Sequence, residues 1–358
     1  KDAQTKANAG INGNQVAAVD TSGSSGGTVA SIGADATVKA GRNLDVIADE
    51  RLTFIGITGA ISGGAVAVGI SVLVVSIVSN VEATVGGGTT LEATTGLVHV
   101  RADYDEDLVG VSFTGGGGVV AVGAQVAVIT TTADQTAAIG VGGSIDAAAT
   151  GVDVEAEADR DVTTVTVGVS AGAVALGAGV GVAIISGNTL AKIGGSATGP
   201  GAGSVDLGSV ETVGRLKVDA DSRIDAKSIA VSVQGGGFAL SGAVSILILS
   251  GSTTAFAGTT GSVGTGGINV HAKGDHTGDV LGLNIAVGGV AVGITVAIVT
   301  NGRSVLATIS DAASVSSGGA VSVVAEGYDT AKVFTPGGVA GGVAIAAYVP
   351  VATVSGAT

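Results

Sequence analysis

One sequence frame recurs along this chain at a spacing of about 53 residues, and this recurrence constrains the fold more than any other feature. Its first mark is an alternating segment that ends in alanine next to charged residues, as in Val152-Asp153-Val154-Glu155-Ala156. The alanines of this mark stand at positions 48, 102, 156, 220, 272 and 325. Their offsets are 54, 54, 64, 52 and 53 residues, so one insertion interrupts an otherwise steady register.

A second mark of small residues follows in every repeat, as in Ala191-Lys192-Ile193-Gly194. We expect the alanines at positions 83, 138, 191, 255 and 307 to stack as one inward-facing ladder. The insertion falls in the Gly-rich segment 194–204. The register predicts a single repeat array over 1–358, with units 1–43 (partial), 44–96, 97–150, 151–214, 215–267, 268–320 and 321–358 (partial).

Composition indicates an ordered array of closely spaced backbones. The chain has 64 Gly without a Gly-X-Y period, and its 46% hydrophobic content is too high for a disordered chain. It has no Cys, which excludes disulfides and thiolate metal sites and suits an oxidising exterior. The net charge of −14 disfavours nucleic acid and anionic membrane surfaces as partners, because both are bound through Lys and Arg.

The apolar segments have the period of strands. Residues 119–130 and 173–185 alternate Val, Ile or Leu with Gly, Ala or Ser for much of their length, which predicts strands with one bulky and one small face. A helix is disfavoured, because each interior Gly costs about 1 kcal/mol relative to Ala. Glycine clusters such as Gly115–Gly118 and Gly235–Gly237 are typical of corners.

Parallel strands need long connections, and repeats of strands and corners supply them by winding into a solenoid. We therefore predict an all-β fold, a parallel β-solenoid (β-helix) of the right-handed type, with its hand left open. Each repeat could be one broad flattened coil or two smaller coils. At about 4.8 Å between strands, six repeats would then rise about 30 Å or about 60 Å.

The order of a V-x-V-x-A segment, an acidic cluster, an alternating strand, A-x-I-G and a Gly turn is seen from Val152 to Gly194. This order resembles the repeats of giant secreted bacterial filamentous adhesins of the leukotoxin type, and the resemblance covers essentially the whole chain. It implies a β-solenoid surface protein whose repeats form a stalk or fibre. It also implies that binding activity is often carried elsewhere in the parent protein, and it supplies no catalytic residue.

Acidic clusters recur at matching places in three successive units. Stacked carboxylates repel one another, and Ca²⁺ accepts six to eight oxygen ligands from such groups. The sequence allows either a solvated acidic surface that hinders lateral aggregation or a calcium site, with no other cofactor expected. The candidate metal ligands are Asp103, Asp105, Asp107, Glu155, Glu157, Asp159, Asp219 and Asp221.

Long runs without charge accompany these clusters. They comprise residues 54–81, 108–133, 162–191, 228–260 and 280–302. One interpretation is a membrane-embedded repeat protein, but the period of two and the missing Trp and Tyr belts disfavour it. We expect instead strands that are buried on both faces, with any excess forming an apolar stripe that could associate sideways.

We expect a non-enzymatic structural segment, the stalk or filament of a large secreted or cell-surface bacterial adhesin or matrix protein. Its partners would be further copies of the repeat, through lateral self-association, and a host or matrix surface bound by other parts of the parent protein. The alternative is a carbohydrate-binding or carbohydrate-processing solenoid, for which Tyr104 between Asp103 and Asp105 is the best local candidate. His276 is expected at a surface corner.

Overall fold

The computed structural model describes residues 15–20, 26–195, 203–208, 213–310 and 313–356, and all regular structure in these ranges is β. The middle of the inserted segment 194–204 lies outside the described residues. In chain order the strands are β1 Gln15–Asp20, β2 Gly27–Ile32, β3 Thr37–Ala40, β4 Leu44–Val85, β5 Thr90–Ala93, β6 Leu97–Ile139, β7 Ser144–Ala148, β8 Gly151–Ser186, β9 Thr189–Ile193, β10 Val205–Asp206, β11 Leu216–Ala257, β12 Thr259–Val263, β13 Ile268–Ile309, β14 Ser314–Ser317, β15 Val321–Phe334, β16 Gly337–Ala340 and β17 Val343–Val354.

Each repeat contributes one long strand and one short strand to two parallel sheets. The long strands lie in an 11-stranded sheet in the order β1-β4-β6-β8-β11-β13-β15, to which β2, β9, β16 and β17 also belong. The short strands form a six-stranded sheet in the order β14-β12-β10-β7-β5-β3. All pairings between the long strands are parallel, so the prediction of an all-β parallel solenoid is confirmed.

The register gives one coil per repeat. Leu44 pairs with Val98, Val98 with Val152, and Val152 with Leu216. Equivalent residues of successive coils therefore form columns, and the alanines at 48, 102, 156, 220, 272 and 325 form one of them. The broad flattened coil is the arrangement that the chain adopts, and six coils rise about 30 Å.

Each coil is flat because its long strand folds back on itself. In β4 the hydroxyl of Ser71 donates to that of Thr58 at 2.8 Å, which places an outgoing arm against a return arm with the turn near Gly64. An arm of about 20 residues is about 65 Å long. Successive turns pack so closely that a side chain at Gly236 would clash with the carbonyl oxygen of Gly172. Glycine at position 236 is therefore required by the spacing of the coils.

The base of the coil, opposite the turn, has an ordinary apolar core. It packs the two ends of the long strands against the short strands, with residues such as Val100, Ile139 and Leu91 buried. The predicted alanine ladder is confirmed at 83, 191, 255 and 307, which lie in one column; the first three are fully buried and Ala307 is partly buried. The prediction is wrong at Ala138, because Ala137 pairs with both Ala83 and Ala191.

The half of the coil nearer the turn reverses the usual distribution of residues. A small apolar cluster that includes Leu73, Leu108 and Ile129 fills the middle of the interior. Beyond it the inward side chains are Ser, Thr, Gln, Asn, Ala and Gly, while Val, Ile, Leu and Phe point outward. The expectation that the uncharged runs are buried on both faces is therefore wrong, because only one face is buried, and near the turn this is the small-residue face.

Candidate functional site: a charged outer face and a buried polar column

The eight candidate metal ligands all lie on the outer face of the outgoing arms of β6, β8 and β11. Side chains alternate along a strand, and all eight occupy the outward positions of their coils. Asp103, Glu157 and Asp221 form one column, while Asp105 pairs with Asp159 and Glu155 with Asp219. Asp105 and Asp107 are exposed. The sequence register therefore places these carboxylates on one surface.

Basic side chains from neighbouring coils are placed between these carboxylates. Arg101 Nη2 lies 2.7 Å from Asp103 Oδ2 and 2.9 Å from Glu157 Oε2. Lys217 Nζ contacts Glu155 Oε1 at 2.7 Å and Asp219 Oδ2 at 2.9 Å. The result is a ladder of cross-strand ion pairs, which links successive coils and relieves the repulsion expected of stacked carboxylates.

Further pairs extend this ladder into the next coils. His271 Nδ1 lies 2.8 Å from Asp219 Oδ1, and Arg223 Nη1 donates to Asp159 Oδ1 at 2.7 Å. Asp221 faces Lys273 at 3.7 Å. Each of these three pairs joins residues at the same position of adjacent coils, so these contacts follow from the register of the repeat.

Local surroundings move the pKa values of the carboxylates in different directions. The hydrogen bond from His99 and the pairing with Lys217 lower the pKa of Glu155 to about 2. Partial burial raises the pKa of Asp103 and Asp221 despite their basic neighbours. Glu155 is thus held as a carboxylate by its two partners.

Calcium binding by this face stays a prediction. Within the described residues, no group of three or more His, Cys, Asp or Glu side chains is arranged to hold a metal ion. Carboxylate oxygens of Asp103, Glu155 and Asp219 instead contact nitrogen atoms of Arg, Lys and His. The geometry is that of a salt-bridged surface.

A second set of polar residues lies inside the coil, where the sequence frame suggests only apolar residues. Leu52, Glu106, Arg160, Ile224 and His276 form one inward column that continues to Asp329. We call the buried charged members of this column and their polar neighbours the buried polar column. It runs between the apolar base and the middle cluster, across successive coils.

Arg160 is the centre of the first part of the buried polar column and is 1% exposed. Its Nη1 donates to the carbonyl oxygen of Ser186 at 2.8 Å, and its Nη2 donates to the carbonyl oxygen of Ala133. The guanidinium also stacks over the ring of Tyr104, 5.4 Å from the centroid. Glu106, in register beside Arg160, accepts a hydrogen bond from the hydroxyl of Thr131 at 2.6 Å.

The second part contains His276, Asn301, Arg303 and Asp329. His276 Nδ1 lies 2.8 Å from Asp329 Oδ1, and Asn301 Nδ2 donates to the same oxygen at 3.2 Å. Arg303 donates to the carbonyl oxygens of Ser250 and Gly187. The expectation that His276 lies at a surface corner is wrong, because its position in the alternation of the strand turns it inward.

Burial dominates the pKa values in this column. It raises the pKa of Glu106 and that of Tyr104, for which the charge of Glu106 adds to the effect. Burial and the charge of Arg303 lower the pKa of His276 to about 4, although Asp329 acts in the opposite direction. The fold therefore favours a neutral His276 at neutral pH.

Tyr104, the best candidate for a sugar-binding platform, is not accessible to a sugar. Tyr104 is fully buried and points inward, whereas Asp103 and Asp105 point outward from the same strand. An aromatic ring must be accessible to stack on a sugar. The alternation of inward and outward positions is readable from Val98, Val100 and Ala102, and it places Tyr104 on the buried face.

A groove of about 470 Å³ lies near the end of the described stack. It is lined by Lys227, Asp279 and Lys332 along one side and by Ile229, Leu281 and Phe334 along the other. These residues form two adjacent outward columns. The groove marks the level at which charged outward residues give way to apolar ones.

Comparisons with known proteins do not assign this chain to a family. No family model, no curated protein and no solved structure matches the chain. The resemblance to filamentous adhesins therefore remains a prediction from the sequence. In the part of the chain that the structure describes, no helix is long and apolar enough to cross a membrane.

Proposed function

We propose that this chain is a non-catalytic structural segment, which forms part of a stalk or filament in a large secreted or cell-surface bacterial protein. The observation that carries the proposal is the shared register. Each long strand pairs with its equivalent in the neighbouring coils over most of its length. A fold in which every coil is built on the edge of the previous one extends by simple addition of repeats.

The composition of the outer face supports the same role. Its ion pairs join neighbouring coils, so adding a coil adds both backbone hydrogen bonds and salt bridges. The lack of cysteine and the acidic net charge agree with an extracellular or cell-surface location. Partners would be further copies of the repeat, with the binding of host or matrix surfaces left to other parts of the parent protein.

The proposal is tested by lengthening the array. A variant that carries a second copy of units 215–267 and 268–320 should form a stack that is taller by about 10 Å, at an unchanged coil width of about 65 Å. Electron microscopy or small-angle scattering measures both dimensions. A stack of unchanged height, or a compact globule, would contradict the role of a modular spacer.

Enzymatic activity would contradict the proposal independently. The purified chain should leave neutral and acidic polysaccharides intact. Turnover that disappears on Asp105→Asn, with the fold retained by circular dichroism, would instead support the carbohydrate-processing alternative.

A further inference from the structure

The half of each coil nearer the turn carries no charged residue. This half comprises residues 57–74, 111–128, 165–182, 229–246, 281–298 and 334–351, which occupy equivalent positions in six coils. We call it the blade. Just outside it, in the outward positions of the outgoing arm, Lys227, Asp279 and Lys332 form the charged column nearest the boundary.

The outer faces of the blade are made of bulky apolar side chains. On the outgoing arm, Val165, Ile229 and Leu281 form one column and Phe113, Val167 and Val231 another. On the return arm, Val120, Val174, Phe238 and Val290 follow the same rule. Phe113 and Phe238 remain 37% and 40% exposed within the stack.

The interior of the blade carries the polar groups. Ser232 and Ser241 are buried, and the hydroxyl of Ser241 donates to the carbonyl oxygen of Ser232 across the two arms at 3.0 Å. Thr114 and Gln125 contact each other at 2.7 Å in the neighbouring part of the stack. These four side chains are paired inside the coil, and the outer face carries apolar side chains that lose no hydrogen bonds on leaving water.

This distribution is the reverse of that in a protein surrounded by water, where bulky apolar residues are buried and hydroxyl and amide groups are exposed. It is the distribution required of a protein surface in contact with hydrocarbon, where polar side chains face the interior and backbone groups bond to each other. Between neighbouring coils the turns meet the backbone condition as well, because Gly63 and Gly64 pair with Gly117 and Gly118 of the next coil.

The dimensions of the blade match a lipid bilayer. From Val165 to Gly172 the outgoing arm has eight residues, which extend about 26 Å, close to the roughly 30 Å of a bilayer's hydrocarbon layer. With about 30 Å along the six coils of the stack, each face presents roughly 800 Å² of apolar surface. That exceeds the roughly 300–600 Å² of the largest apolar patch on a typical monomer, and here it occurs on two opposite faces.

We propose that the blade inserts into the hydrocarbon layer of a zwitterionic lipid membrane, with the charged base of each coil left in water. A second copy packed face to face would cover one outer face and leave the opposite face and the turns exposed. Acyl chains cover both faces and the turns together. The acidic base repels anionic headgroups, which is why a zwitterionic surface is the better partner.

Flotation of the full chain with phosphatidylcholine vesicles tests the proposal. The wild type should float with these vesicles, and less of it with vesicles that contain phosphatidylglycerol. Val231→Glu places a charge in the blade and should lower the bound fraction at least tenfold, whereas Asn269→Glu, which adds the same charge to the exposed base, should bind as the wild type does.

A measurement of insertion depth that adds no charge to the blade guards against the case in which Val231→Glu simply fails to fold. Since the chain has no cysteine, single substitutions Val167→Cys and Asn269→Cys accept an environment-sensitive fluorophore at one place each. Spin-labelled acyl chains should quench the probe at 167 and leave that at 269 unaffected. Equal quenching at both positions, a chain that remains with the lipid-free fraction, or lipid-independent stacking of copies through the blade would overturn the proposal.

Discussion

A single glycine column shows how closely the coils approach at the turn. Gly235 and Gly236 are neighbours in the same turn, and both have backbone angles that other residues can adopt. A Cβ atom at Gly235 would meet open space, whereas one at Gly236 would meet the carbonyl of Gly172. We expect Gly236→Ala to lower the free energy of unfolding by about 1–3 kcal/mol.

Gly235→Ala is the matched control and should be neutral or stabilising by up to about 1 kcal/mol, because it restricts the unfolded chain without a clash. Chemical denaturation of the two variants makes the comparison. Equal losses of stability would show that the turns are not stacked at this spacing.

The buried guanidinium of Arg160 should contribute far more to stability than a guanidinium on the outer face. Arg160→Met removes its hydrogen bonds to Ser186 and Ala133 and leaves Glu106 buried without a neighbouring cation. A cost of about 3–5 kcal/mol is expected from breaking such an arrangement.

Arg223→Met, on the exposed ion-pair ladder, should cost no more than about 1 kcal/mol. Urea denaturation at neutral pH measures both variants. A loss for Arg160→Met as small as that for Arg223→Met would place Arg160 in a solvated environment and contradict its burial.

His276 should make stability depend on pH in a defined window. Its folded-state pKa, about 4, lies below its ordinary value of about 6.5, because the fold favours the neutral ring. Its contribution to the free energy of unfolding is therefore complete above pH 6.5. This contribution is lost as the pH falls from 6.5 towards 4, because in this range the unfolded chain binds a proton that the folded chain does not.

Thermal unfolding of the wild type and of His276→Gln from about pH 7.5 to about pH 4 isolates this contribution. The melting temperature of the wild type should fall by several degrees more than that of the variant over this window. Parallel curves would contradict the lowered pKa.

At the scale of the strand, the alanine ladder fixes how closely the two ends of a long strand pack in the base. Ala191 is fully buried between Ala137 and Ala255, whereas Ala178 in the return arm of the same coil is exposed. Ala191→Phe should cost at least about 1–3 kcal/mol through overpacking. Ala178→Phe should change the melting temperature little, and a reversed order would show that inward and outward positions had been exchanged.

The strands and their stacking could be read from the sequence, but the distribution of side chains between the two faces could not. The repeat frame places Ala102 over Ala48 directly, since equal spacing and parallel pairing leave one register. It misplaces Ala138 by one residue, although Ala137-Ala138-Ile139-Gly140 contains the full A-x-I-G pattern. In the uncharged runs the frame does not indicate which face is inward, because bulky and small residues simply alternate there.

The candidate site shows the same division. The carboxylates could be assigned to one face from their equal spacing, as with Asp103, Glu157 and Asp221. Only some of their cationic partners could be assigned in the same way: Lys273 stands in register with Asp221, whereas Arg101 and Lys217 meet Glu157 and Glu155 diagonally. The buried polar column was missed because Glu106 and Arg160 belong to runs of charge that read as surface.

At the scale of the whole molecule, each repeat forms one flattened coil. The stack combines a conventional base, charged outside and apolar inside, with a blade of opposite polarity. This amphipathic section repeats in every coil, so a longer array would present a continuous charged ribbon along one edge and a continuous apolar ribbon along the other.

Disulfide trapping across neighbouring coils tests the one-coil repeat most directly. Val111 and Val165 are paired outward residues of adjacent coils, about 4.8 Å apart, which is within the range that a disulfide bridges. Val111→Cys/Val165→Cys should therefore form an intramolecular disulfide on mild oxidation at low protein concentration, while Val111→Cys/Ile229→Cys, two coils apart at about 9.6 Å, should not. If the first pair stayed reduced, the repeat would comprise more than one coil, and the molecule would not be a stack of single flattened coils.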